Sequence, residues 1–192
     1  MMSVIVIDVG WLEHLAAVAG AKVEVDQDGG VAVSPASDQH VIAATRLAIQ
    51  LAGQLPQDLE VLVEGPRWSP LGALTPSYVP DLAVIARSAL DRVDGDYQLD
   101  PPPLLIVEIL SPATRRRDLG EKLDNYYFGG ARIYWTIGVP GLSDANQPQV
   151  TIHRRGPDGW ESTGPARSGE VTWPPGMMFE THLAIDFDRL AV

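Results

Sequence analysis

The chain has no cysteine. That excludes disulfides, thiolate zinc sites and a cysteine nucleophile, and it suits a reducing cytoplasm. No apolar run approaches the roughly 18 residues that a membrane span needs. The apolar start, residues 1–10, lacks the basic flank of a signal sequence. These absences predict a soluble, cytoplasmic protein with no membrane partner. Positive charge is also scarce: 14 basic residues stand against 25 acidic ones, for a net charge of −11. A field of that sign opposes polyanions rather than steering them. Lysine is rarer still, standing only at Lys22 and Lys122, while every other basic residue is arginine. A compact ammonium kept in an arginine-using chain points to a task that guanidinium does not perform. The plainer reading is a solvated surface charge. No phosphate-cradling glycine loop, His-Glu-x-x-His or Gly-x-Ser-x-Gly occurs, and the scattered histidines make no zinc site.

What is present fits one domain over residues 1–192. A chain of this length buries roughly 70% of its unfolded surface and needs no staples. Residues 4–7 form a short apolar run, and 10–19 carry apolar residues at helical spacing. Residues 22–26 alternate with period two and 31–33 answer them across Asp28-Gly29-Gly30, a hairpin signal. Ser37 or Asp38 caps a helix whose apolar face runs from Val41 to Ala52. His40, in its first turn, reads as a surface or hydrogen-bonding residue rather than a catalyst. Residues 59–63 predict a strand, 69–78 a loop, and the acidic, proline-rich residues 88–103 a solvated connection. Further on, 150–153 and 159–162 predict a hairpin, 171–173 a short strand and 183–187 a last one.

The residues that organise the chain are 80–135. Pro80-Asp81 opens the apolar run Leu82-Ala83-Val84-Ile85. In Leu104-Leu105-Ile106-Val107-Glu108-Ile109-Leu110 one acid interrupts a run otherwise fit for burial. A charge there is costly unless it is paired, hydrogen-bonded or metal-bound, so Glu108 is the most informative residue of the chain. Either Glu108 and Asp81 are salt-bridged acids, or two acids on neighbouring strands share a divalent cation. A helical pattern follows over residues 115–127 and a strand over 132–137.

These motifs, in this order, resemble the Uma family of restriction-endonuclease type, within the PD-(D/E)XK nuclease superfamily. The resemblance is close over residues 79–137 and looser from 23 to the C-terminus. It implies an α/β fold with a restriction-endonuclease-like core, a mixed central β-sheet flanked by helices. It implies a Mg²⁺- or Mn²⁺-dependent endonuclease that hydrolyses phosphodiester bonds in DNA. Carried over residue by residue, the catalytic set is Asp81, Glu108 and Lys122. The metal ligands are Asp81, Glu108, the backbone carbonyl of Ile109 and, as a further acid, Glu24. The plainer role for Glu24 is an exposed strand residue beside Lys22. A strict Glu-x-Lys would put lysine where Leu110 stands; the family carries it on the following helix, at Lys122.

Asp118 and Lys122 are four apart, so the first can orient the second, or the two make a weak surface pair. Tyr126 shares that face, where core packing is its plainer role. Arg115, Arg116 and Arg117 are candidates for phosphate contact, against the reading of a solvated turn. The implied partner is nucleic acid, weakly bound because the chain is acidic. Cutting both strands of a duplex asks for a two-fold homodimer. A second reading stays open: a non-catalytic, partner-binding or regulatory protein on the same scaffold, which the net charge favours.

Overall fold

The structure is a computed structural model, and it describes residues 14, 21–35, 37–65, 67–71, 76–92, 101–166, 169–172 and 182–191. The apolar run at 4–7 lies outside these residues, as does the helical pattern at 10–19 except for His14, which is helical.

The centre is a six-stranded mixed sheet in the order β3(Leu59–Val63), β4(Leu82–Ala86), β5(Leu105–Ile109), β6(Ile133–Gly138), β7(Gln149–Arg155), β8(Trp160–Ala166). Only β5 and β6 run parallel; every other neighbouring pair is antiparallel. A parallel pair needs a long crossover, usually helical. Here it contains α2(Arg115–Asp118) and α3(Glu121–Phe128). A separate antiparallel hairpin, β1(Ala21–Val25) with β2(Val31–Pro35), joins the rest through a bridge between Val25 and Ser77. Near the end, β9(Gly169–Thr172) pairs antiparallel with β10(His182–Ile185).

The long helix α1(Asp38–Ala52) starts at Ser37, whose Oγ accepts the His40 N–H at 3.3 Å. Ala43, Ala44, Leu47 and Leu51 bury one face of α1 against the sheet. Burying each of the two leucines is worth about 1.5–3 kcal/mol. The central strands β4, β5 and β6 are buried on both sides, and period two decides which residue goes where. Leu105, Val107 and Ile109 face the α1 layer. Ile106 faces the opposite layer, where Tyr126 of α3 packs with Trp68, Tyr78 and Tyr134. Glu108 therefore falls on the α3 side.

Three expectations change. The pattern read as one helix over 115–127 is two helices, broken at Leu119-Gly120. A Cβ on Gly120 would stand 2.9 Å from the Arg116 carbonyl, so the glycine is what allows the chain to turn there. The expected open connection after residue 88 begins as a 3-10 turn, Arg87–Arg92, with Ala89 buried. The last strand ends at Ile185, and Phe187–Leu190 is a 3-10 turn whose Phe187 and Leu190 complete the α1 side of the core.

Candidate active site

Antiparallel register brings the two strand acids together. Leu82 pairs with Val107, so Asp81, one residue before β4, stands opposite Glu108. The Ile109 backbone N–H donates to Asp81 Oδ2 at 2.6 Å, fixing that carboxylate across the strands. Both hydrogen bonds to Glu108 fall on Oε1: Lys122 Nζ donates at 2.9 Å and the Tyr126 hydroxyl at 2.7 Å. The crossover thus returns α3 over the end of β5 with its lysine and tyrosine aimed at the buried acid.

Lys122 is the hub. Its Nζ lies 2.9 Å from both Glu24 and Glu108 and 3.3 Å from Asp118, with the side chain 3% exposed. Burial alone would lower its pKa; Glu108, Glu24 and Asp118 together raise it well above the ordinary lysine value. Burial drives Glu108 the other way, up to about 8; Lys122 opposes the rise, and Asp81, Asp118 and Glu24 add to it. Burial also pushes Asp118 up. Burial would raise Asp81 too, but the Lys22 ammonium and the approach of His40 hold it well below the usual carboxylate range. Glu24 is likewise lowered, because Lys122 and Arg117 outweigh its burial.

Several expected residues therefore meet at one place. Lys22, Glu24, His40, Asp81, Glu108 and Lys122 line one cavity of about 470 Å³, with Ile109 at its wall. Glu24 is not an exposed strand residue paired with Lys22: it is buried, accepts the Val79 N–H at 3.0 Å and contacts Arg117 and Lys122. Tyr126 does more than pack, since it stacks on Trp68 and also holds Glu108. Arg117 is a correction: its guanidinium turns inward onto Glu24, so it is not a free phosphate contact. Arg115 and Arg116 remain exposed, Arg115 lying 4.0 Å from Asp144.

Sequence reasoning placed three further neighbours outside the site. Lys22, whose scarcity had already marked it, contacts Asp81 rather than Glu24. His40 Nε2 comes to 3.0 Å from Asp81 Oδ1. Tyr78, buried within a stretch read as loop, donates to Glu121 and accepts from Asn125 Nδ2 at 2.8 Å. No sequence signal marks Tyr78, because its partners lie far along the chain.

The donor set suits a hard divalent ion. Mg²⁺ is held by one or two carboxylates and keeps several waters. Asp81 and Glu108 are such a pair on adjacent strands, and the crowded carboxyls that raise Glu108 would be relieved by an added positive charge. Among the described residues no three acidic or histidine side chains are arranged to hold a metal ion: Glu24, Glu108 and Asp118 surround the Lys122 ammonium instead, and Asp81 contacts Lys22.

The profile of the family described as "Uma2: Putative restriction endonuclease" matches residues 12–186. The chain belongs to that family. Among solved structures it is similar to a "putative nuclease belonging to DUF820" from Anabaena variabilis, at a TM-score of 0.63 and 17% identity, over 88% of each chain. That likeness shows the α/β fold, a mixed six-stranded sheet flanked by a few helices. No curated protein matches the chain significantly. Among the described residues no helix is long and apolar enough to cross a membrane.

Proposed function

We propose that this Uma2-family chain is a Mg²⁺- or Mn²⁺-dependent endonuclease hydrolysing phosphodiester bonds in DNA, working in the cytoplasm as a homodimer. The observation that carries the reading is the meeting of Asp81, Glu108 and Lys122 at one cavity, two acids from paired strands and a lysine from the crossover helix. Asp81, Glu108 and the Ile109 carbonyl would hold the ion, with Glu24 as the adjoining acid. When bound, a divalent ion supplies a Lewis acid for the phosphoryl oxygen and a water of lowered pKa.

The protein's own groups prepare the site. The Ile109 N–H and the Tyr126 hydroxyl set the carboxyl groups of Asp81 and Glu108 in place before substrate arrives. Lys122 stays an ammonium at neutral pH, so it orients water and offsets charge developing on the phosphate, and it does not act as a base. Asp118 and Glu24 keep it in that position.

The test is cleavage of supercoiled, linear and single-stranded DNA with Mg²⁺ or Mn²⁺ by wild type and Glu108→Ala. Metal-dependent nicking that vanishes in the variant is expected; equal residual cleavage in both sinks the proposal. Light scattering at tens of micromolar tests the dimer, and a monomer there argues for nicking or single-strand cleavage. The alternative, a non-catalytic partner-binding protein, draws support from the net charge of −11 and from acids already neutralised by lysine. It predicts no cleavage from any preparation.

A further inference from the structure

Lys22 is absorbed neither by the family pattern nor by the chemistry above. It arises from the β1–β2 hairpin, outside the six-stranded sheet, and reaches the cavity with its side chain 13% exposed. Its Nζ contacts Asp81 Oδ1 and lies 3.7 Å from Glu64 Oε1. Asp81 is thus engaged at both oxygens, Oδ2 by a backbone N–H and Oδ1 by the Lys22 ammonium, with His40 Nε2 3.0 Å from that same Oδ1. The backbone donor is locked by strand pairing. The ammonium sits on a flexible four-carbon stem and is the partner that can move. Glu64, with its side chain 33% exposed at the end of β3, is a second carboxylate within reach.

Resting on the nuclease reading, we infer that Lys22 is a built-in cation that competes with the divalent ion for Asp81 and moves to Glu64 when the ion binds. An ion on Asp81 would stand beside a like-charged ammonium, and the repulsion is relieved only if Lys22 leaves. A lysine in this role keeps the metal-free acids neutralised and makes loading depend on the metal concentration. Arginine would hold Asp81 through a broad fork and release it less readily.

The test is Mn²⁺ binding by calorimetry, without substrate, to wild type, Lys22→Met, Glu64→Gln and the double variant. Competition of this kind predicts that Lys22→Met binds Mn²⁺ about tenfold more tightly than wild type. Glu64→Gln should bind it less tightly, and that loss should disappear when Lys22 is already Met. A loss that persists in the double variant shows that Glu64 acts only through its charge and removes the moving-lysine account. Equal or weaker binding by Lys22→Met overturns the inference while leaving a metal site in place. No binding by any of the four proteins ends the metal reading itself. Since Lys22→Met risks destabilising the chain, a second measurement uses wild type alone. With ¹³Cε-labelled lysine the protein gives only the Lys22 and Lys122 signals. Mg²⁺ should shift the Lys22 signal to that of a more exposed ammonium; an unmoved signal at saturating Mg²⁺ overturns the inference.

Discussion

A single buried carboxyl makes the site measurable without substrate. Between its unperturbed value of 4.5 and its folded value of about 8, Glu108 holds a proton that the unfolded chain has released. Stability contributed by this group therefore falls as pH rises through that window. Asp81 and Glu24, both lowered, change stability only at more acidic pH, whereas Asp118, raised by burial, adds to the fall and His153, lowered by burial, opposes it, so the share of Glu108 is the difference between wild type and Glu108→Gln. Each pH unit inside the window is worth up to about 1.4 kcal/mol, roughly 3–6 °C of melting temperature for a chain of this length. Thermal melts in EDTA between about pH 5 and about pH 8 should show wild type losing stability relative to Glu108→Gln as pH rises; parallel curves would mean that Glu108 is ionised throughout. Lys122 is predicted to be intolerant of both its obvious replacements. Lys122→Met leaves Glu24, Glu108 and Asp118 without their shared cation and should cost about 3–5 kcal/mol by denaturant titration. Lys122→Arg restores charge but must fit a larger fork at a side chain only 3% exposed, so cleavage should fall nearly as far as in Lys122→Ala. Full activity in Lys122→Arg would show that charge alone is needed. Glu108 and Asp81 were legible in the sequence because an acid in or beside a buried-type strand has few places to go. The partnership of Lys22 with Asp81 was not, because 59 residues separate them and nothing local encodes it.

At the scale of elements, hairpins and the crossover were legible, since period two, turn residues and the strand–helix–strand order are local signals. What local signals missed was the break at Gly120. A lone glycine inside a helical pattern reads as tolerated. Here it ends one short helix and starts the next, and the Tyr134 hydroxyl donates to the Asp118 carbonyl at 2.9 Å just before the turn. The bend lets Asp118 reach the Lys122 ammonium, which in turn meets the buried acids, although the two lie on different helices. Gly120→Ala places a methyl 2.9 Å from a backbone carbonyl that has little room to yield. A loss of about 1–3 kcal/mol is expected from such overpacking. Cleavage should fall further than that stability loss alone accounts for, because the shift is passed to Lys122. Unchanged melting and activity would mean that α2 and α3 can rearrange freely.

At the scale of the whole molecule, charge is the unusual quantity. A net −11 opposes the approach of DNA, and the basic groups nearest Glu108 are already spent on acids: Lys122 on Glu24 and Glu108, Arg117 on Glu24, Lys22 on Asp81. Among the described residues Arg115 and Arg116 are exposed cations beside the cavity, directly following Ala113 and Thr114 of its wall. An acidic nuclease with two such contacts should bind DNA through few phosphates. Counterion release then gives a slope of log K against log salt near −2, from about −0.9 per neutralised phosphate, where a basic-faced protein with six or more contacts would exceed about −5. Reversing both arginines, Arg115→Glu with Arg116→Glu, should remove most of that slope and weaken duplexes of different sequence alike. It should leave melting temperature nearly unchanged, since neither side chain is buried. Fluorescence anisotropy of labelled duplexes in EDTA, across a range of potassium chloride, reads both quantities without cleavage. A slope steeper than about −5 in wild type would require a basic surface elsewhere, and an unchanged slope in the double variant would remove these two arginines from the interface.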